Sequence, residues 1–333
     1  MILPSRLFCA PMAELTTPAL RGTIRRFSKG AVLCSEMLSA GAIAAHSPHN
    51  EPLVRKLPGD DPFIYQIVGS NPRVMADACR ILEARGCFSI DINMGCAAPD
   101  ILKTGAGAQL LADPARAREV VAACRAATAG ALSVKMRAGF EDADGKRLLG
   151  FCAMLHGEGV NFITLHGRHA KLGFRRSADW KLVSLLKKAL PIPVIGNGDI
   201  TAPDQALARL RETGCDAVML GREAVKSPWI FALCERALSG SAEPLRVDLY
   251  EVFTETLRAI GTLLPERLHK SRGHRFAFYF SGNVHFSHDL FTRIRRENSI
   301  DAMTRAVEGY FDRNPGEQIR EFQPVEGENQ CGS

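Results

Sequence analysis

The chain has 333 residues, 46% of them hydrophobic, which is enough for a large core and more than one compact unit. No run of eighteen apolar residues occurs, and MILPSRLFCAPMAELT has no basic stretch leading into a long apolar one, so neither a membrane span nor a signal peptide is expected. Ten scattered cysteines with no CxxC and no zinc-type Cys/His spacing argue against a disulfide framework or a metal site and for reduced thiols in the cytoplasm, and a formal charge of +6 is compatible with a polyanionic partner.

Short apolar, β-branched runs recur along the first two thirds of the chain. In order they are LFCAPM (7–12), AVLCSEM (31–37), FIYQIVG (63–69), FSIDINMG (88–95), LSVKMR (132–137), NFITLHGR (161–168), IPVIGNGD (192–199) and DAVMLGR (216–222). Helical periodicity fills the gaps at 71–86, 113–128, 145–158, 178–190 and 203–213. Runs this continuously apolar fit parallel strands covered by helices. Eight β/α units in about 235 residues have the size of a TIM (β/α)8 barrel, with an open doubly wound sheet as the runner-up.

The pattern changes after residue 243. Segments 247–262, 268–281 and 299–312 read as helices, and no strand alternation appears. The expected organisation is a catalytic barrel over 1–243, a small helical domain over 244–322 and a disordered tail over 323–333. The stretch 265–296 carries seven Lys/Arg, among them Lys270, Arg272, Arg275, Arg293 and Arg295, against Glu266 and Asp289. Interleaved with them, Phe276, Phe278, Tyr279 and Phe280 are consecutive enough that some must face inward.

In a barrel enzyme the chemistry sits at the C-terminal strand ends. Here those ends carry Pro11-Met12-Ala13, Glu36, Gln66, Asn93-Met94-Gly95-Cys96, Lys135 and Arg137, His166-Gly167-Arg168, Asn197-Gly198-Asp199 and Gly221-Arg222. Donors and acceptors at all eight ends would converge on one pocket, because buried polar groups need partners. Glycines after strands 7 and 8, with Arg222, have the chemistry of a phosphate site. With Lys135, His166, Gln66 and Asn93 facing a planar heterocycle, the set fits an FMN pocket. GAGAQL (105–110) lacks the spacing of a dinucleotide loop and reads as a tight turn, and Glu141, Asp142 and Asp144 read as a polar loop.

APMA, QIVGS, DINMGC, VKMR, LHGR, ADW, PVIGNGDI, VMLGR and PWIF occur in an order and spacing that resembles the tRNA-dihydrouridine synthases, most of all the bacterial B subgroup. The resemblance covers roughly residues 6 to 232, and RGHRFAFYFSG (272–282) is similar to the basic, aromatic signature of that family's C-terminal helical domain. It implies an FMN enzyme, reduced by NADPH, that saturates the C5=C6 bond of uridine in tRNA, with hydride delivered to C6 and a proton given to C5 by Cys96. By position it implies that Pro11, Met12 and Ala13 line the flavin, and that Gln66, Lys135 and His166 hydrogen-bond it. Asn197, Gly198, Asp199, Gly221 and Arg222 would hold the ribityl phosphate. Asn93 would place the uracil and Arg168 would lie near the RNA backbone, with Lys270, Arg272, Arg275, Arg293 and Arg295 on the tRNA. A monomer with no membrane or metal partner is expected.

One departure stands out. The family has proline directly after the cysteine and a base soon after, whereas this chain reads Cys96-Ala97-Ala98-Pro99-Asp100. The alternatives are an FMN enzyme for a small free pyrimidine, of the dihydroorotate or dihydropyrimidine type, ribosomal RNA as substrate, a non-catalytic RNA-binding protein, or a sugar-phosphate enzyme without flavin.

Overall fold

The computed structural model describes residues 1–173 and 175–324, without the side chains of residues 49 and 172. Eight parallel strands form one sheet: β1 (Leu7–Cys9), β2 (Leu33–Ser39), β3 (Phe63–Val68), β4 (Ser89–Met94), β5 (Ala131–Arg137), β6 (Phe162–His166), β7 (Val194–Asn197) and β8 (Ala217–Leu220). They pair in chain order, β1 pairs with β8, and a parallel bridge from Phe8 to Val32 closes the ring into a (β/α)8 barrel. The strand ends fall short of the apolar runs where the sequence demands it. Thus β1 stops before Pro11, which has no N–H for a ladder. The helices begin where a short polar side chain can hold their first free N–H groups: Asn71, Asp113 and Asp144 cap Pro72–Glu83, Pro114–Ala126 and Gly145–Gly157.

Alternation decides what fills the barrel. Phe8, Cys34, Ile64, Phe162, Ile195 and Ala217 form its buried apolar floor, where Phe88 stacks on Phe162 at 6.0 Å. One or two steps further along the same faces the residues turn polar. The register sets Gln66 beside Asp91, Asp91 beside Ser133, Asn93 beside Lys135, and His166 beside Asn197. The apolar floor and the polar mouth therefore follow from one period-2 pattern read along each strand.

The chain divides into two compact units. The first comprises Met1–Ala13, Gly30–Ile200 and Ala208–Gly221, and contains the barrel strands. The second comprises Glu14–Lys29, Thr201–Leu207 and Arg222–Ser333. The division thus falls at Gly221/Arg222 and not near 243, and the second unit also takes in the helix Pro18–Phe27. Its later helices are Ile230–Ser239, Leu249–Leu263, Glu266–Phe280, Ser287–Arg296 and Ile300–Arg313.

Two features there correct the sequence reading. Leu245–Asp248 and Ile319–Phe322 pair as an antiparallel ribbon, although no strand was expected after 243. The helix Ser287–Arg296 was also missed, because only Leu290 and Ile294 of it are buried. Within this unit Phe253, Phe276, Phe280 and Trp229 pack together, with Phe253 and Phe280 centroids 4.7 Å apart. Most of the expected tail, residues 325–333, lies outside the described residues. Among the described residues no helix is long and apolar enough to cross a membrane.

Candidate active site

Cys96 stands two residues past the end of β4 and is partly exposed. Three neighbours hold its loop. Asn93 Oδ1 accepts from the backbone N–H of Gly95 at 3.0 Å and of Cys96 at 2.8 Å. Arg137 Nε donates to the Gly95 carbonyl at 3.0 Å. The Ala108 N–H donates to the Cys96 carbonyl at 2.8 Å. That last contact requires the glycine before it: Gly107 has φ +61°, and a Cβ there would come within 2.6 Å of the Cys96 oxygen. GAGAQL is therefore more than a turn; it is the shelf on which the Cys96 loop rests.

The displaced proline has a plain local role. Pro99 opens the short helix Pro99–Leu102, where its missing N–H is no loss. Asp100 is exposed and paired with Lys103 at 3.1 Å. The departure thus alters the segment beyond the cysteine, while the residues that hold Cys96 itself remain.

Behind the loop lies a buried polar chain. Asn93 Nδ2 donates to Gln66 Oε1 at 2.8 Å, and Gln66 Nε2 donates to Asp91 Oδ2 at 2.7 Å. Ser133 Oγ donates to Asp91 Oδ1 at 2.7 Å. Burial pushes the Asp91 carboxyl up to about 6, against the opposing effect of its Gln66 and Ser133 hydrogen bonds. Half-buried Lys135 is brought down to about 8 by burial, with Asp91 opposing. Its Nζ donates to Asn197 Oδ1 at 3.0 Å, and Asn197 Nδ2 donates to the Met219 carbonyl at 2.8 Å.

His166 Nε2 lies 2.9 Å from Arg168 Nη1. A guanidinium only donates, so that nitrogen accepts and a neutral ring carries its proton on Nδ1. Arg168 differs from the RNA-facing side chain expected of it. It is 4% exposed, and its Nη2 meets both Asp199 oxygens at 2.9 and 2.7 Å while Nε donates to the Arg176 carbonyl. Asp199, at φ +54°, also accepts from the Ala178 N–H at 2.8 Å. An anion so engaged orders the turn after β7 and is not itself a phosphate donor.

The remaining barrel residues bound the mouth. Pro11 and Met12 are half-buried and Ala13 is exposed. A Cβ on Gly221 would meet only Ala10 Cβ and Met12 Sδ, each at an ordinary 3.7 Å. No packing in the first unit demands glycine there, which leaves bare backbone open to a ligand. At Gly198, φ +131°, a Cβ would strike Ala178 at 2.6 Å. A cavity of about 990 Å³ lies apart from this set, between the outer face of β5 and the helices Pro114–Ala126 and Gly145–Gly157; Leu111, Met136, Leu148 and Phe151 line it, and none of the converging polar groups reaches it.

Arg222 and the basic stretch lie in the second unit. Arg222 is exposed and opens the helix Arg222–Lys226. Arg272, expected on the RNA, is 8% exposed and pairs with Glu14 at 3.1 Å. Arg275 pairs with the same carboxylate at 2.7 Å, and Arg293 with Asp289 at 2.8 Å. Lys270, Arg295 and Arg296 are exposed and form no ion pair among the described residues. Phe276 and Phe280 are core, at 4% and 0% exposed, but Phe278 is 58% exposed and its ring meets Phe291 at 5.4 Å.

The sequence reading passed over Asp91 and gave Arg137 and Gly107 no role. Asp91 had a legible signal, a lone acid in the middle of the apolar run FSIDINMG. Arg137 stood out as a strand-end donor but its partner did not, and Gly107 had no signal, because each acts at a backbone carbonyl that only the fold brings near.

A parallel barrel with a braced thiol, a buried amide chain and a half-buried lysine at its C-terminal mouth has the layout of a barrel oxidoreductase. Of solved structures, histamine dehydrogenase from Rhizobium sp. 4-9 superposes with a TM-score of 0.53 at 14% identity, covering 76% of this chain and 48% of that one. An amine oxidase from Pseudomonas geniculata N1 superposes with a TM-score of 0.52 at 14% identity, covering 77% and 51%. At that identity the likeness shows the barrel alone, and this chain spans about half of each.

Sequence comparison is more specific. The pattern of the dihydrouridine synthases matches residues 8–297, and this chain belongs to that family. It is similar to tRNA-dihydrouridine synthase B of Vibrio parahaemolyticus, 33% identical over 320 residues, covering 93% of this chain and 97% of that protein. It is also similar to a probable tRNA-dihydrouridine synthase 1 of Synechocystis sp., 36% identical over 231 residues, covering 69% of this chain but only 64% of that protein.

Proposed function

We propose that this protein reduces the C5=C6 bond of uridine in tRNA, with FMN as its bound cofactor and NADPH as reductant. Family membership over residues 8–297 supports the reaction class. The observation that carries the mechanism is Cys96, held from three sides at the barrel mouth with its side chain partly exposed.

The residues present suit a flavin. Lys135 offers a cation to the electron-rich edge of the ring, and bare backbone at Gly221 beside Ala10 and Met12 offers room for close approach. Met12, Lys135 and Asn197 would hold it within the barrel unit. A reduced flavin bound there supplies the hydride.

The chain's own residues handle the proton. Cys96 gives the proton of its Sγ–H to C5 of the uracil as C6 takes up the hydride, so that two electrons and two hydrogens are added across the double bond. The thiolate recovers its proton from solvent. The buried base contributes to specificity because the uridine must leave its stack, at a cost of a few kcal/mol. Phosphate contacts at Lys270, Arg295 and Arg296, with a base against the exposed Phe278 ring, supply the offsetting free energy.

The test is anaerobic. Protein reduced with NADPH is mixed with tRNA lacking dihydrouridine, and the flavin absorption is followed with mass analysis of the RNA. Reoxidation by tRNA with a gain of 2 Da per modified uridine, and none with free uracil, is the expected result. Reoxidation by free uracil alone would move the reading to a small-pyrimidine enzyme. Full product from Cys96→Ala would remove the thiol from the mechanism.

A further inference from the structure

We infer that Asp91 is the positioning residue for Cys96, acting through Gln66 and Asn93; the inference rests on the uridine-reductase reading. The argument is one of hydrogen-bond polarity. The backbone N–H groups of Gly95 and Cys96 can only donate, so Asn93 must turn Oδ1 to both of them. Its Nδ2 then faces Gln66, whose Oε1 accepts at 2.8 Å. That turns Gln66 Nε2 away from Asn93 and onto Asp91 Oδ2 at 2.7 Å.

A chain of amides with donors at one end needs an acceptor at the other, and Asp91 supplies it. Gln66 is 0% exposed, so bulk water does not compete for its amide and a lost partner leaves it unsatisfied unless its amide turns. Without an acceptor at 91, Gln66 turns its amide to find one and sets donor against donor at Asn93. Asn93 then gives up the two loop N–H groups. Arg137 and Ala108 hold only carbonyls of that loop, so the loop stays folded while the direction of its N–H edge, and with it the thiol, is released.

The requirement is for an acceptor and not for a charge. A proton on Asp91 Oδ1 can be donated to Ser133, whose hydroxyl has Ser89 Oγ 3.2 Å away, and Oδ2 still accepts from Gln66. Asp91→Asn can do the same, with its oxygen to Gln66 and its NH2 to Ser133. Asp91→Ala cannot.

The experiment compares Asp91→Ala, Asp91→Asn, Asn93→Ala and the Asp91→Ala/Asn93→Ala double variant in the full-length protein. One readout is the rate of Cys96 alkylation by iodoacetamide, measured on its peptide by mass spectrometry. The other is the split between kcat and KM with tRNA. Asp91→Ala is expected to change the alkylation rate about threefold or more and to lower kcat roughly tenfold to a hundredfold, as a misplacement on the order of 1 Å does, with KM for tRNA unchanged. Asp91→Asn is expected within about twofold of the parent in both, and the double variant no worse than Asn93→Ala alone. The inference is overturned by an Asp91→Asn protein as altered as Asp91→Ala, by additive losses in the double variant, or by a fall in kcat with unchanged Cys96 alkylation. If Asp91→Ala does not fold, Asp91→Asn with altered Cys96 alkylation suffices to overturn it. A parent protein inactive on tRNA would defeat the reductase reading, while the alkylation rates would still judge Asp91.

Discussion

Replacing Gly107 by alanine isolates the support of the cysteine loop. At φ +61° an alanine pays a left-handed strain of roughly 1 kcal/mol. Its Cβ would also sit 2.6 Å from the Cys96 carbonyl oxygen and 2.9 Å from Ile101 Cγ2. The isoleucine methyl can swing aside, but the carbonyl is backbone and must retreat by roughly 0.8 Å to reach ordinary contact. That movement stretches the 2.8 Å bond from the Ala108 N–H, a loss of about 1 kcal/mol. The total, about 2 kcal/mol, corresponds to a fall in Tm of roughly 3 °C for a chain of this size. Because the displaced atom belongs to Cys96, dihydrouridine formation is expected to fall about tenfold or more. Gly214→Ala is the matched control: φ is +67° and nothing lies within 4 Å of its Cβ, so it carries the strain without the collision. It should lose about 1 kcal/mol of stability and keep full activity. Thermal melts and single-turnover rates on both variants decide the matter. A Gly107→Ala enzyme as active as Gly214→Ala would refute the role given to GAGAQL.

Three further outcomes are expected. Lys135 is charged below about 8 and neutral above it, so FMN affinity should fall about tenfold per pH unit above that value, and Lys135→Met should remove the slope; titration of apoprotein with FMN from pH 7 to 9.5 checks this. Asp199→Asn leaves the buried Arg168 guanidinium without its countercharge and should cost about 1–3 kcal/mol, discounted because Asp199 is 31% exposed; urea unfolding measures it, and a change under about 0.5 kcal/mol would contradict the assigned pair. In tRNA binding across a salt series, Arg295→Gln should reduce the log–log salt slope by about one unit, whereas Phe278→Leu should weaken binding by about 1–3 kcal/mol at every salt concentration with the slope kept.

The barrel was legible because its evidence is local. Each strand is its own nearly continuous apolar run, and the polar residue near its end, as Gln66 after Ile64 or Asn197 after Ile195, marks the mouth without reference to any other strand. Cys96, Gln66, Lys135 and His166 stood out as candidates for the same reason, since a polar residue ending an apolar run has to have a use. The later helix Ser287–Arg296 and the ribbon Leu245–Asp248 with Ile319–Phe322 were not. The helix buries only two side chains, and the ribbon strands pair across about seventy residues.

What the sequence by itself determined is which residues stand at the strand ends and which face of each strand they occupy, because period 2 is a property of the backbone. Which partner each of them takes was decided only when the barrel closed. Arg168 became a buried clamp on Asp199 because the turn after β7 brings that carboxylate to it. GAGAQL became the shelf under Cys96 because residues 107 and 108 return against the loop after β4. Phe278 faces solvent while Phe276 and Phe280 face the core, because the helix Glu266–Phe280 has one side to bury and the spacing of 3.6 leaves 278 off it. A hydrogen bond needs its two atoms within about 3 Å, and no pattern along the chain measures that distance.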